Sequence, residues 1–143
     1  MAERLTAVQL AVLLRDAITR LNRRVRQTRP VGDLTATQLS ALASLELAGA
    51  MTPRELAEIE RVRPPTMTKI VSKLEERDLV QRTPHPTDGR QVILAATPQG
   101  RGVLAKFERA REEWLAQRLS ELTAQEREVL RHAAEILRQV ARA

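Results

Sequence analysis

The residues best suited to chemistry in this sequence are cationic and hydroxyl side chains in two neighbouring segments. Arg90 follows the turn dipeptide Asp88-Gly89, which lies between two short β-type runs. Just before the first run, an amphipathic segment that starts at Pro64 carries threonine, serine and lysine on one side. Guanidinium, ammonium and hydroxyl groups hydrogen-bond to phosphate oxygens and to base edges. This chemistry is typical of binding to a polyanion rather than of bond cleavage.

The segment from Pro64 is predicted to be a helix with two different faces. Met67, Ile70, Val71 and Leu74 recur at i, i+3, i+4 and i+7, which indicates one face turned to a core. The opposite face is polar, and we expect it to contact the partner. The predicted contact residues on this helix are Pro65, Thr66, Thr68, Lys69, Ser72 and Lys73.

The composition is typical of one globular domain, and the positive net charge favours a polyanionic partner. The 143 residues are 43% hydrophobic and 29% charged, with a net charge of +6. Residues 1–30 carry seven arginines and two acids, and this basic helix end is equally compatible with a solvated surface and with phosphate contacts. The absence of cysteine excludes disulfides and thiolate metal sites. His85 and His132 lie far apart without a carboxylate cluster, so no metal or cofactor is expected.

Sequence motifs of enzymes and of membrane proteins are missing. The chain has no Gly-rich phosphate loop, nucleophile elbow or HExxH pair, and an enzyme is not expected. No apolar run approaches the roughly 18 residues of a membrane-spanning helix. The N-terminus lacks the layout of a signal peptide. We therefore expect a cytoplasmic protein without membrane contact.

Apolar periodicity and capping signals predict a mainly helical chain with one hairpin. The first predicted helix runs from Leu5 to Arg29 and is ended by Pro30 and Gly32, and the second runs from Thr35 to Leu47 and ends at Gly49. The third begins at the capping box Thr52-Pro53-Arg54-Glu55, and the fourth begins at Pro64. The fifth runs from Thr97-Pro98 to Leu122, and the last begins at the capping box from Thr123 to Glu126. The predicted inward residues of the second and third helices are Leu39, Leu42, Leu45, Leu56, Ile59 and Val62.

The β-type runs Leu79–Thr83 and Gln91–Ala95 are predicted to pair as a hairpin with a turn at Asp88-Gly89. With this element included, the order of the chain resembles that of the MarR family of bacterial transcription regulators over essentially its whole length. The segments that carry the resemblance are Leu56-Ala57, Pro65 to Glu75, Leu79-Val80, Asp88-Gly89-Arg90 and Thr97-Pro98-Gln99-Gly100.

The resemblance implies a winged helix-turn-helix, mainly α with a small two-stranded β-hairpin and with long N- and C-terminal dimerisation helices. Residues 34–97 would form the DNA-binding region, and residues 1–30 and 98–143 would form the dimerisation helices. Two positions depart from the family pattern. Asp78 replaces a usual glycine at the end of the reading helix, and Ala96 replaces a usual leucine before Thr97.

The implied function is that of a sequence-specific regulator of transcription, a repressor that binds double-stranded DNA as a homodimer on a pseudo-palindromic operator. Arg90 would enter the minor groove, with Asp88 pairing to its side chain so that the guanidinium is aimed. Arg54, Arg63 and Arg82 are weaker candidates for phosphate contacts.

Release by a small aromatic or phenolic ligand is also implied, although the sequence does not identify its binding residues. Phe107 and Trp114, the only aromatic residues, are interpreted as dimer core, with a ligand cage as the alternative. The alternative function is a helical protein-interaction adaptor without DNA binding, which would use the same caps and apolar stripes. It would not explain a wing with Asp88 and Arg90 next to a lysine- and threonine-faced helix.

Overall fold

The structure, a computed structural model, describes residues 5–28 and 34–143. Within them the chain is mainly helical with one two-stranded antiparallel sheet, which confirms the predicted fold class. The predicted helix end at Arg29, Pro30 and Gly32 lies outside the described residues. The helices are α1 (Ala7–Gln27), α2 (Ala36–Ala48), α3 (Pro53–Glu60), α4 (Pro64–Glu76), α5 (Pro98–Ser120) and α6 (Ala124–Val140), and the strands are β1 (Val80–Pro84) and β2 (Val92–Ala96).

Threonine capping boxes start four of the described helices. The two predicted boxes, at Thr52 and Thr123, are both formed. Two more begin α1 and α2, where Thr6 and Thr35 use glutamine rather than glutamate three residues later. In each box the threonine oxygen accepts a backbone N–H and the longer side chain accepts the N–H of the threonine, so two otherwise unpaired donors are satisfied. A cap of this kind stabilises a helix by about 1 kcal/mol.

The chain divides into two compact units, and α5 contributes residues to both. The first unit consists of Ala110–Ala143 and the described part of Met1–Arg29, and the second unit is Pro30–Arg109. In the first unit, no residue of α1 or α6 is buried. In the second unit, side chains from α2, α3, α4, the hairpin and α5 form a hydrophobic core. The burial within one chain is therefore concentrated in the second unit.

The core of the second unit follows the predicted apolar stripes with two corrections. Leu39, Leu42 and Leu45 are buried as predicted. Ile59 was predicted to be buried but is 53% exposed, because the short α3 turns only Leu56 and Ala57 fully inward. Phe107 is 1% exposed inside this core, so its interpretation as dimer core is wrong.

The hairpin is confirmed, and the turn predicted at Asp88-Gly89 is formed, since the Gln91 N–H donates to the Asp88 carbonyl at 3.0 Å. Val80 pairs with Ala96 and Pro84 with Val92, which leaves residues 85–91 as a longer loop. Gly89 does not adopt the positive φ that a two-residue type I′ turn requires. Met51 extends the sheet by one residue, since its backbone exchanges hydrogen bonds of 3.1 and 2.8 Å with Leu94.

A junction around Thr97 joins the end of α4, the hairpin and the start of α5. The Thr97 hydroxyl donates to the Asp78 carbonyl at 2.5 Å and accepts the Gly100 N–H at 3.0 Å. The Thr97 N–H donates to the Leu79 carbonyl at 3.0 Å. A Cβ atom at Gly100 would collide with that same carbonyl oxygen, so glycine is required there. The junction fixes where β1 leaves α4.

Asp78 generates a stability prediction, because its φ of 55° is a left-handed conformation that costs a residue with a Cβ atom about 1 kcal/mol or more. Asp78→Gly should raise the free energy of unfolding by about 1 kcal/mol, whereas Asp78→Ala, which lacks the local polar group that makes this conformation tolerable, should lower it. Urea denaturation of the three proteins measures both changes. A glycine variant that is less stable than the parent would contradict this account of the α4 end.

Candidate nucleic-acid interface

Helices α3 and α4 form a helix-turn-helix with a tight connection. Arg61 takes a left-handed conformation, with φ at 54°, and closes α3. The next N–H, of Val62, donates to the Ala57 carbonyl at 3.1 Å, as in a Schellman-type helix end. Val62 is partly buried against the core, so the turn is anchored by packing as well as by hydrogen bonds. The direction in which α4 starts is thereby fixed.

A carboxylate braces this turn, and sequence reasoning missed it. Glu60, the last residue of α3, accepts the Ser40 hydroxyl at 2.7 Å and the Ser44 hydroxyl at 2.5 Å. Both serines lie one turn apart on α2. Hydrogen bonds to a charged acceptor are stronger than neutral ones, so these two contacts resist rotation of α3 against α2. Two serines at i and i+4 are the only sequence signal for this brace, and nothing local points them to an acid sixteen to twenty residues away.

Helix α4 has one buried apolar face and one exposed face, as predicted. Met67, Ile70, Val71 and Leu74 are buried, and each is at most 8% exposed. The structure places all six predicted contact residues of this helix on its exposed side, namely Pro65, Thr66, Thr68, Lys69, Ser72 and Lys73.

Hydrogen bonds within α4 decide what some of these side chains can offer a partner. The Thr68 hydroxyl donates to the Pro64 carbonyl at 3.0 Å, so its lone pairs and methyl group face outward. The Lys73 ammonium is 3.4 Å from a Glu76 carboxylate oxygen, in an exposed pair that holds little energy. Lys69 has no ion-pair partner among the residues that the structure describes. Both lysines are therefore available to an anion.

The wing, which we define as residues 80–96, carries the other two predicted contact residues. Arg90 is exposed and Asp88 is half-buried in the loop between the strands. The predicted ion pair between their side chains is absent. Instead, the Asp88 carboxylate accepts the backbone N–H of Arg90 at 3.1 Å, a local turn that aspartate forms readily two residues before its donor. Asp88 thus orients the backbone from which the Arg90 side chain extends.

An ion pair connects α4 with the wing. The Arg82 guanidinium of β1 lies 2.5 Å from the Glu75 carboxylate near the end of α4. Arg82 was a weak candidate for phosphate contact, and the structure shows that its charge is already engaged within the protein. Because both side chains are partly exposed, the pair contributes more to the relative placement of α4 and β1 than to stability. Sequence reasoning did not foresee it, since the two residues are joined only by the fold.

The two remaining arginine candidates are exposed near the helix-turn-helix. Arg54 lies on α3 in a loose pair with Glu58 at 3.5 Å, and Arg63 precedes the first turn of α4 without a side-chain cap bond. In the part of the chain that the structure describes, no group of three or more histidines and acids could hold a metal ion. No helix within residues 5–28 and 34–143 is long and apolar enough to cross a membrane.

Comparison with known proteins agrees with this geometry. A sequence model of the MarR family matches residues 34–92. An HTH-type transcriptional regulator of Mycobacterium bovis is 45% identical over 129 residues, which are 90% of this chain and 90% of that protein. The HTH-type transcriptional repressor MdtR of Bacillus subtilis is 33% identical over 93 residues, which are 65% of this chain and 60% of that protein. The crystal structure of transcriptional regulator Tm0710 of Thermotoga maritima has a TM-score of 0.80 at 25% identity and covers 92% of both chains.

Proposed function

The chain belongs to the MarR family of helix-turn-helix transcriptional regulators, and on this basis we propose that it binds double-stranded DNA sequence-specifically as a homodimer and represses transcription. The observation that carries the proposal is the division of α4, which is anchored by four buried residues and leaves all six predicted contact residues exposed. A helix held in this way can enter the major groove of DNA without disturbing its own core.

Each of the six predicted contact residues of α4 has a role that follows from its chemistry. Pro65 offers only apolar contact, which suits a thymine methyl group, and Thr66 reaches a base or a phosphate. Because the Thr68 hydroxyl already donates to the Pro64 carbonyl, Thr68 acts as an acceptor toward adenine N6 or cytosine N4. Lys69 and Lys73 contact phosphates or guanine, and Ser72 contacts phosphate. Specificity then comes mainly from the first turns of the helix.

The wing supplies the second contact. Arg90 enters the minor groove beside the half-site, where the negative potential of a narrow groove attracts a guanidinium. Its backbone N–H is held by the half-buried Asp88 carboxylate, so the base of the side chain is positioned before DNA arrives. The Glu75–Arg82 pair keeps the wing in a fixed place relative to α4. Both contacts therefore come from the same compact unit of the chain.

Homodimerisation is supported by uncovered apolar side chains in the first unit. Among the described residues, all exposed large hydrophobic side chains except Leu47 and Ile59 belong to α1, its N-terminal flank or α6. Soluble monomers rarely expose so much contiguous apolar surface. A second copy offers the same stripes in a two-fold arrangement, which closes the assembly. Two α4 helices would then read half-sites about 34 Å apart, so we expect a pseudo-palindromic operator.

Repression and ligand release complete the proposal. The similarity to the repressor MdtR favours repression. Release by a small aromatic or phenolic ligand is proposed from family membership, without assigned binding residues. Trp114, the single tryptophan, is half-buried with the Arg118 guanidinium 5.6 Å from its ring centre. A regulator of this kind works where the chromosome lies, which places its action in the bacterial cytoplasm.

Sedimentation equilibrium tests the dimer. At micromolar concentration we expect the mass of two 16.1 kDa chains. Ile18→Glu introduces a charge into the apolar stripe of α1 and should shift the equilibrium toward monomer, since a buried unpaired carboxylate is strongly unfavourable. Leu47→Glu is the matched control, because Leu47 is 92% exposed in the second unit and its replacement should leave the mass unchanged. A wild-type protein that sediments as a monomer would refute the proposal of a homodimer.

DNA binding is tested on duplexes selected from a random pool. We expect footprints with two-fold symmetry and an affinity that falls steeply with salt, because each neutralised phosphate releases counterions. Because the dimer presents two copies of Lys69, Lys69→Ala should reduce the slope of log affinity against log salt by about 2, which is about 1 for each subunit. If no duplex is bound even at low salt, the protein-interaction adaptor becomes the better interpretation.

The role of Arg90 is tested by charge removal at the wing tip. Arg90→Ala should weaken binding about tenfold or more on every bound sequence, and it should lower the preference for a narrow minor groove. Arg118→Ala removes the same charge from α5 and should have little effect, so it separates a specific contact from a change in net charge. Equal affinities of wild type and Arg90→Ala at fixed salt would exclude the minor-groove contact.

A further inference from the structure

A histidine side chain closes the loop that carries Arg90. The Nδ1 atom of His85 lies 3.0 Å from the backbone nitrogen of Asp88 and 3.2 Å from that of Thr87, and it accepts both N–H groups. The Thr87 hydroxyl is also 3.3 Å from this atom. A ring nitrogen that accepts hydrogen bonds must carry a free lone pair, so the ring is neutral with its proton on Nε2. His85 is half-buried in the loop, and of these contacts the one with the Asp88 N–H is partly buried whereas those with Thr87 are exposed.

Hydrogen bonds connect His85 with Arg90 through Asp88. His85 holds the backbone of Asp88, and the Asp88 carboxylate in turn holds the backbone N–H of Arg90. Two further bonds close the loop at its base, from the His85 N–H to the Gln91 carbonyl at 3.1 Å and from the Gln91 N–H to the Asp88 carbonyl at 3.0 Å. Without the ring contacts, the N–H groups of Thr87 and Asp88 lose their acceptor, and Asp88 is then held only by its bonds with the Gln91 and Arg90 N–H groups.

Protonation of the His85 ring at Nδ1 removes the acceptor of these hydrogen bonds. An imidazolium ring donates from both nitrogens and accepts from neither, so a proton on Nδ1 would face two other N–H groups. Histidine is the side chain that changes charge between about pH 5 and 8. The stabilisation of the loop by His85 is therefore present when the ring is neutral and is lost when Nδ1 is protonated.

Charged groups of both signs lie in the loop and on the elements beside it. The loop itself carries the Asp88 carboxylate and the Arg90 guanidinium. On β1, the Arg82 charge is compensated by Glu75, and β2 carries no ionisable side chain. Bound DNA would favour protonation through its phosphates, which is the opposite of the effect of the lost loop bonds. The sign of the pH dependence thus distinguishes a loop-holding ring from a phosphate-contacting ring.

We propose that His85 is a positioning residue for the wing, whose neutral ring holds the loop that presents Arg90 and whose protonation loosens that loop and weakens DNA binding. This inference rests on the proposed function for its effect on DNA. The arrangement of the loop itself does not depend on that function. His85 does not touch the DNA in this account, and it acts through Asp88 and Arg90.

The first test measures affinity for a selected duplex at pH 7.5 and pH 5.5 at constant ionic strength, with circular dichroism to show that the protein stays folded. Wild type should lose about tenfold in affinity at pH 5.5, the equivalent of one or two lost hydrogen bonds. In His85→Asn the amide oxygen replaces Nδ1 as the acceptor and does not titrate, so this variant should keep most of the affinity at both pH values. His85→Ala should bind weakly at both.

His132→Asn is the control, because His132 is the only other histidine and lies on α6. It should follow the wild-type pH dependence. If wild-type affinity is unchanged or rises at pH 5.5, the proposal is overturned, and a rise would identify the imidazolium as a phosphate contact. The proposal also fails if His85→Asn retains the wild-type pH dependence.

The second test needs no DNA, and it separates this inference from the proposed function. NMR of the ¹⁵N-labelled protein should show His85 as the Nε2–H tautomer at pH 7.5, with the Thr87 and Asp88 amides protected from exchange. Both amides should lose protection as the ring titrates. An Nδ1–H tautomer would overturn the proposal even if DNA binds as expected. If no duplex is bound at pH 7.5, the proposed function fails while this measurement still decides the role of His85 in the loop.

Discussion

The anchoring of α4 through one face is the constraint on which the rest of the second unit depends. Met67 and Leu74, at most 1% exposed, fix this helix in the core by apolar burial, which supplies most of the free energy of folding. Because the burial is on one side only, the polar side chains opposite are held in place without being used in packing. The Glu60 brace fixes where the helix starts, and the Thr97 junction fixes where it ends. A surface that recognises another molecule is therefore a by-product of how the core is filled.

Much of this arrangement could be predicted from local sequence signals. Thr52 with Glu55 and Thr123 with Glu126 mark helix starts because capping is a contact over three residues. The i, i+3, i+4 spacing from Met67 to Leu74 predicts the buried face of α4 for the same reason: the helix repeat is local. The left-handed conformation at Asp78 agrees with the family resemblance, which places this residue where glycine is usual. Capping boxes and apolar spacing, which involve residues close in the sequence, thus predict where the helices begin and which of their faces are buried.

The incorrect or missing predictions concern contacts between distant parts of the chain. Ile59 matched the helical spacing but lies outside the narrow part of α3 that the core covers. Phe107 belongs to the core of the second unit, because the start of α5 packs there through the Gly100 contact. In the loop of residues 85–91, the turn at Asp88-Gly89 was predicted, but the hydrogen bonds from the Thr87 and Asp88 N–H groups to the His85 ring were not. Arg82 meets Glu75 only after the chain has folded. None of these contacts leaves a periodic signal in the sequence.

The exposed apolar stripes of α1 and α6 have a genetic consequence. If two copies cover these stripes for each other, a subunit with a damaged wing or α4 can still assemble, because the residues that bring the chains together lie in a different unit. Mixed assemblies would then carry one intact and one defective reading helix. A mutant allele of this type would interfere with a normal allele in the same cell, whereas an allele that disrupts α1 or α6 would be recessive.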